Sequence, residues 1–304
     1  MAPTCDTGAS GATYAAVPLA GLVAPDELPF PLYLRTSSRA WVLYKPEGTL
    51  LDESHLGRLR AEGVRSLFIQ DEHRAAYARR VEAELASILL DRAVPLPRRA
   101  DVFMEVAAVV ADELLSAPLC VEAVARAQRL LMCASGLMLR DPGAFQAVRR
   151  VLRAGEGLAR HSLTVALLSM GLAQTALGVD AASLAGVGLA GLLHDVADAD
   201  AGSRDAAPAD RAARSADQLG ALGLSDLVVG AVRHHHHDPA SPPADAPEDV
   251  VAVAAVIGVV DLFEEAYTEG APRGGVFDAL RVLAQAHRGR YDERLAAALV
   301  RLFC

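Results

Sequence analysis

From Ala100 to the C-terminus, almost every segment repeats apolar residues at intervals of three and four and is bounded by residues that start or stop helices. Such a pattern cannot be laid on a sheet, whose faces alternate every second residue, so this part of the chain is expected to fold as an all-α domain over residues 100–304. Candidate helices fall at 101–116, 120–139, 143–154, 157–178, 181–199, 208–222, 225–237, 248–268, 275–288 and 292–303. With only 7 Phe, 6 Tyr and 1 Trp, the core must be built of Ala, Leu and Val, which favours helices and excludes an all-β architecture.

The segment before it reads differently. Residues 1–30 are rich in Ala, Gly, Pro and Thr with little periodicity, and are expected to be a flexible leader. Residues 31–92 read as a small α/β module. PLYLR and RAWVLY predict two strands around Thr36-Ser37-Ser38, Asp52 caps a helix that Gly63 ends, and VRSLFIQ predicts a further strand. A long helix is expected over 72–90, followed by a linker, DRAVPLPRR, interrupted by two prolines. That helix could pair with another copy or serve as a signalling stalk, but strict heptads are absent. The fold class expected is therefore mainly α, an all-α bundle preceded by a small α/β module.

A balance of 29 basic against 38 acidic residues, −9 overall, argues against duplex nucleic acid as a partner. Lys45 is the sole lysine, so any other cation the chain offers to an anionic ligand is arginine. Four scattered cysteines without a CxxC pair suggest neither a disulfide framework nor a thiolate zinc site. No segment is long and apolar enough to span about 30 Å of hydrocarbon, and the N-terminus does not read as a signal peptide, so a soluble cytoplasmic protein is expected.

Chemistry concentrates in the helical part. His194-Asp195 ends the apolar segment SLAGVGLAGLL, where burying an imidazole and a carboxylate is costly unless something compensates them. A divalent cation does so by accepting both; for an isolated pair, an ordinary helix cap is the simpler explanation. The pair is not isolated: His161 lies 33 residues earlier and Asp261 follows the apolar run VVAVAAVIGVV. Four consecutive histidines, His234 to His237, end another helix and read either as a solvated helix end or as further ligands.

Four candidate ligands on three helices, His…His-Asp…Asp, resemble the signature of the HD metal-dependent phosphohydrolase superfamily, over about Leu158 to Phe303. More narrowly, GLLHDVAD, LGLSDLVVGAVRHHHHD and VIGVVDLFEEAYTEGAPRGG resemble motif regions of the HD-GYP branch, whose characterised members are cyclic di-GMP phosphodiesterases. The resemblance implies an HD-domain helical bundle holding one or two divalent transition-metal ions, of Mn, Fe, Zn, Ni or Co. It implies a first ion on His161, His194, Asp195 and Asp261, and a second bridged by Asp195 and bound by His235 and His236. His194 and Asp195 would be the catalytic pair, and Arg273 and Arg211 would steady substrate phosphate.

Several positions depart from the branch. Asp198 stands where the branch has lysine, Arg211 where it has a further ligand histidine, Gly157 where some members have glutamate, and Gly270 where it has an arginine. DPASPPADAPED replaces the GYP loop. Arginine stays protonated and cannot ligate a metal, but it can contact a phosphate bidentately. Two readings follow: a divergent metal-dependent phosphodiesterase acting on a cyclic dinucleotide or other phosphodiester, or an impaired HD-domain signalling protein that keeps the fold and the metal. The partners expected are the phosphodiester itself, with a homodimer or a signalling protein as the macromolecular alternatives.

Overall fold

In the computed structural model, the strands lie in one compact unit, Met1–Val102, and the second unit, Phe103–Cys304, is helical among the described residues. The structure describes residues 13–22, 26–36, 40–64, 66–141, 143–151, 157–199, 207–238, 241, 243–270, 275–286 and 291–303.

The first unit holds β1 (Tyr14–Pro18), β2 (Asp26–Glu27), β3 (Leu32–Arg35), β4 (Trp41–Lys45), β5 (Leu50–Leu51) and β6 (Ser66–Gln70), with helices α1 (Glu53–Ala61) and α2 (Arg74–Leu90). An antiparallel sheet runs β1-β6-β3-β4, and β2 pairs with β5. Alternation sorts the faces: Leu67 and Ile69 are buried on β6 while Phe68 between them is half-buried. Asp52 caps α1 as expected, accepting from the His55 backbone N–H at 2.9 Å.

Two expectations are corrected here. The stretch read as a leader contains β1, which pairs along its length with β6, and buries Val17, Leu28 and Phe30. Its YAAVP sequence lacks the β-branched run that marks a strand, so its conformation is set by the partner edge it meets rather than by its own propensity. Residues 1–12 and 23–25 of that stretch lie outside the described residues. The second correction concerns DRAVPLPRR, where helix α3 (Leu96–Leu115) already begins at Leu96. Pro97 sits in its first turn, where a missing N–H breaks no helical hydrogen bond.

Beyond α3 follow α4 (Val121–Arg140), α5 (Ala144–Val151), α6 (Leu158–Ala176), α7 (Ala181–Leu193), α8 (Pro208–Ala221), α9 (Asp226–His234), α10 (Glu248–Gly270), α11 (Val276–Ala286) and α12 (Glu293–Phe303). Helix α7 is the hub, packing against α4, α6, α9 and α10. Its sequence is apolar almost all round, which suits a helix enclosed by others. Asp180 caps its start by accepting from the Ser183 N–H at 2.8 Å.

Two expected helices stop early. The 181–199 helix ends at Leu193, turns through His194-Asp195, and resumes as a single 3-10 turn over Val196–Ala199. The 225–237 helix ends at His234. In both places an imidazole bonds back to a carbonyl of the last turn, competing with helical continuation. Among the described residues, no helix is long and apolar enough to cross a membrane.

Close approach of α6 and α7 depends on Gly191, where a Cβ would stand 2.9 Å from the Ala166 Cα and 3.2 Å from its nitrogen. Backbone atoms cannot rotate away. Gly191→Ala is expected to cost about 1–3 kcal/mol, read as a lowered urea midpoint with an unchanged slope.

Candidate metal centre

Four helix segments deliver six donor side chains to one cluster. His161 comes from the first turn of α6, His194 and Asp195 from the end of α7, His235 and His236 from the end of α9, and Asp261 from the middle of α10. They form three overlapping triads whose ligand atoms lie within 4.8 Å of one another: His161, His194 and Asp195; His194, His235 and Asp261; Asp195, His235 and His236. His161 Nε2 is 3.2 Å from His194 Nε2 and 3.3 Å from Asp261 Oδ1. His194 Nε2 is 3.4 Å from both Asp261 Oδ1 and Asp195 Oδ2. Asp195 Oδ1 lies 3.8 Å from His235 Nε2. Two donors bound about 2.1 Å from one cation at a right angle are about 3 Å apart, so these separations match donors converging on a shared ion.

Which ring nitrogen faces inward is set by what the other one meets. His194 Nδ1 stands 2.9 Å from the Gly191 carbonyl, and His235 Nδ1 stands 2.7 Å from the Val232 carbonyl. A carbonyl only accepts, so each Nδ1 carries its proton and each Nε2 faces the centre. Both rings also sit at helix C-termini, whose partial negative charge favours a cation.

Burial makes the cluster expensive without one. Asp261, His194 and His235 are almost completely buried. Asp195 Oδ1, Asp261 Oδ1, His235 Nε2 and His236 Nε2 are buried atoms that make no hydrogen bond. Unpartnered donor atoms gathered in overlapping triads are what a divalent cation satisfies, so the residues present fit a metal.

The proton affinities agree. Burial disfavours a charged His161, but hydrogen bonds and charges from Asp261 and Glu264 outweigh it and raise its pKa to about 10. Burial also opposes charge on His194, yet the charge of Asp195 and the bond to Asp261 raise its pKa. Burial pulls Asp261 upward, but the His161 and His194 rings facing its Oδ1 at 3.3 and 3.4 Å outweigh it and hold the carboxyl well below the usual carboxylate range. Burial, then the neighbouring His236 and His194, lowers the pKa of His235, and burial likewise lowers that of His236. Those two rings are therefore neutral, with lone pairs open for ligation.

The structure draws His161, His194, Asp195, His235, His236 and Asp261 together, and His235 shares a triad with His194 and Asp261 as well as one with His236. His234 and His237 stand apart and face each other, the His237 ring bonding the His234 carbonyl. Arg211, on α8, is near enough for its charge to depress the proton affinity of His236. Arg273 lies outside the described residues.

Glu264 was not among the sequence candidates. It is buried on α10, one turn beyond Asp261, and its Oε2 lies 2.5 Å from His161 Nδ1. Arg160 Nη2 donates to its Oε1 at 2.9 Å, and Thr268 Oγ1 donates to the same oxygen at 2.9 Å. A signal existed: an acidic residue three positions after Asp261 shares its helix face.

No family model matches the chain, and no curated protein matches it. Among solved structures, Bd1817, a HDG"Y"P protein from Bdellovibrio bacteriovorus, matches with a TM-score of 0.65 at 17% identity, over 96% of this chain and 99% of that one. The likeness establishes the fold: this is a mainly α chain with the HD-domain architecture of an HD-GYP protein, its helical bundle preceded by a small α/β module.

Two outcomes are expected. A Cβ at Gly258 would stand 2.3 Å from the His235 carbonyl oxygen, so Gly258→Ala must push the His235 turn away from α10. Metal affinity should fall about 10-fold or more, measured by competition with a chelating dye, while far-UV circular dichroism stays unchanged. Second, His161 holds its proton below about pH 10 in the metal-free protein. A cation taking that lone pair must displace the proton, so apparent affinity should rise with pH from 7 and level off near 10, with proton release seen by calorimetry in buffers of different ionisation enthalpy.

Proposed function

We propose that this chain is a divergent metal-dependent phosphohydrolase acting on a phosphodiester, with a cyclic dinucleotide of the cyclic di-GMP kind as the leading substrate class. The observation that carries the reading is the gathering of six His and Asp side chains into three overlapping triads, with four of their donor atoms, on Asp195, His235, His236 and Asp261, buried without a hydrogen-bond partner. The likeness to a HDG"Y"P protein supports it through the fold.

His161, His194, Asp195 and Asp261 would hold one divalent ion, and Asp195 with His235 and His236 a second. When bound, such an ion supplies positive charge that draws a phosphoryl oxygen and acidifies water. The chain's own side chains do the rest. Asp195 is the most accessible carboxylate of the cluster, with 14% of its side chain exposed, so it is the one placed to hold and orient an attacking water. His194, locked by the Gly191 carbonyl, fixes the geometry from beneath. Arg211, and Arg273 from the segment after α10, would steady the phosphate, a role that guanidinium performs with two parallel hydrogen bonds. Water attacks phosphorus and the alkoxide leaves, with no covalent enzyme intermediate.

One feature favours a second reading, in which the chain keeps fold and metal as a signalling or interaction protein without turnover. Asp198 and Arg211 stand where the HD-GYP branch has a cationic lysine and a ligand histidine. The first loses a positive charge near the phosphate, and the second loses a donor from the second ion.

Elemental analysis of purified protein, followed by hydrolysis of cyclic di-GMP and bis-p-nitrophenyl phosphate with added Mn²⁺, separates the two. Turnover is expected, falling to about 1% or less in His194→Ala and Asp195→Ala. Metal-loaded protein that leaves both substrates intact would establish the second reading instead.

A further inference from the structure

The candidate centre has a feature that its six ligands do not account for. The Nδ1 atoms of His194 and His235 meet backbone carbonyls, whereas that of His161 meets a carboxylate. His161 sits in the first turn of α6, not at a helix C-terminus where the last carbonyls are left free. Its Nδ1 instead meets Glu264 on α10, 103 residues away. That carboxylate is itself gripped. Arg160 Nη2 and Thr268 Oγ1 both reach Oε1 at 2.9 Å, while Oε2 meets His161. Arg160 is further tied to Thr164, with Nη1 to Oγ1 at 3.4 Å.

We propose that Arg160, Glu264 and Thr268 form a positioning relay that fixes His161 as a metal ligand, with Glu264 as its central member. The proposal rests on the metal-centre reading above and deepens it. Three features carry it. Glu264 is only 2% exposed, so its charge has been buried at a cost that Arg160 and His161 must offset. Each of its oxygens has a distinct partner set, which fixes the carboxylate plane and hence the ring of His161. The relay also joins α6 to α10, the helices that carry His161 and Asp261, and so holds His161 Nε2 at 3.3 Å from Asp261 Oδ1. A carboxylate that accepts from Nδ1–H sets the tautomer and makes Nε2 a stronger donor.

Glu264 touches neither metal nor substrate in this scheme, so its effect must appear in metal affinity rather than in the chemical step alone. Glu264→Gln keeps the side-chain size and removes the charge, and should weaken Zn²⁺ and Mn²⁺ binding about 10–100-fold. Arg160→Met, at a partly exposed position, should weaken it less. In the Glu264→Gln background it should add little, because its action passes through the carboxylate. Affinity of Glu264→Gln within twofold of the parent, or losses that add in full across the double-mutant cycle, would overturn the relay.

Histidine-ring ¹⁵N spectra of the metal-free full chain provide a readout independent of metal. A slowly exchanging Nδ1–H on His161, lost or fast-exchanging in both Glu264→Gln and Arg160→Met, supports the relay. It does so even if the parent binds no metal, a result that would remove the metal reading alone. A His161 ring signal identical in parent and both variants would overturn the relay whatever the metal does.

Discussion

Everything in the second unit is arranged around one costly act: imidazoles and carboxylates are taken out of water and brought to a single interior point. Asp261 and His194 are buried among helices made mainly of Ala, Leu and Val, where an uncompensated charge costs several kcal/mol. Part of that cost is offset within the chain. Backbone carbonyls hold the outer nitrogens of His194 and His235, and Glu264 holds that of His161. What remains unpaired is Asp195 Oδ1, Asp261 Oδ1, His235 Nε2 and His236 Nε2, all drawn into overlapping triads.

Packing makes that convergence achievable. Small residues, not large ones, decide the distances: Gly191 lets α7 lie against the backbone of α6, and Gly258 leaves room for the His235 carbonyl on α10. The first brings His194 up to His161, and the second seats the α9 turn one helical turn from Asp261. Both helix ends that carry the site terminate where an imidazole bonds back to its own last turn. Local sequence thus ends the helix and orients the ligand with the same hydrogen bond.

The departures from the HD-GYP pattern fall outside this inner set. The sequence differs from that pattern at Asp198, Arg211 and DPASPPADAPED, while His161, His194, Asp195, His235, His236 and Asp261 are drawn together. Arg211 is the sharpest case. Burial chiefly lowers the proton affinity of His236, and the permanent charge of Arg211 lowers it further.

The sequence by itself determined the helical character beyond residue 100, most strand and helix positions of the first unit from residue 31 onward, and the identities of the ligand candidates. Those follow from periodicity, caps and the cost of polar residues in apolar helices, all of which are local. It left the His234–His237 register dependent on resemblance, and it missed β1, the early start of α3 at Leu96 and the part played by Glu264. Each omission has the same physical origin. The YAAVP strand exists because β6 offers it an edge, Pro97 is harmless because the helix begins beside it, and Glu264 matters because α6 brings His161 to it across 103 residues. Only the tertiary structure decided these, since pairing across distant segments is a property of the packed chain that no local pattern encodes.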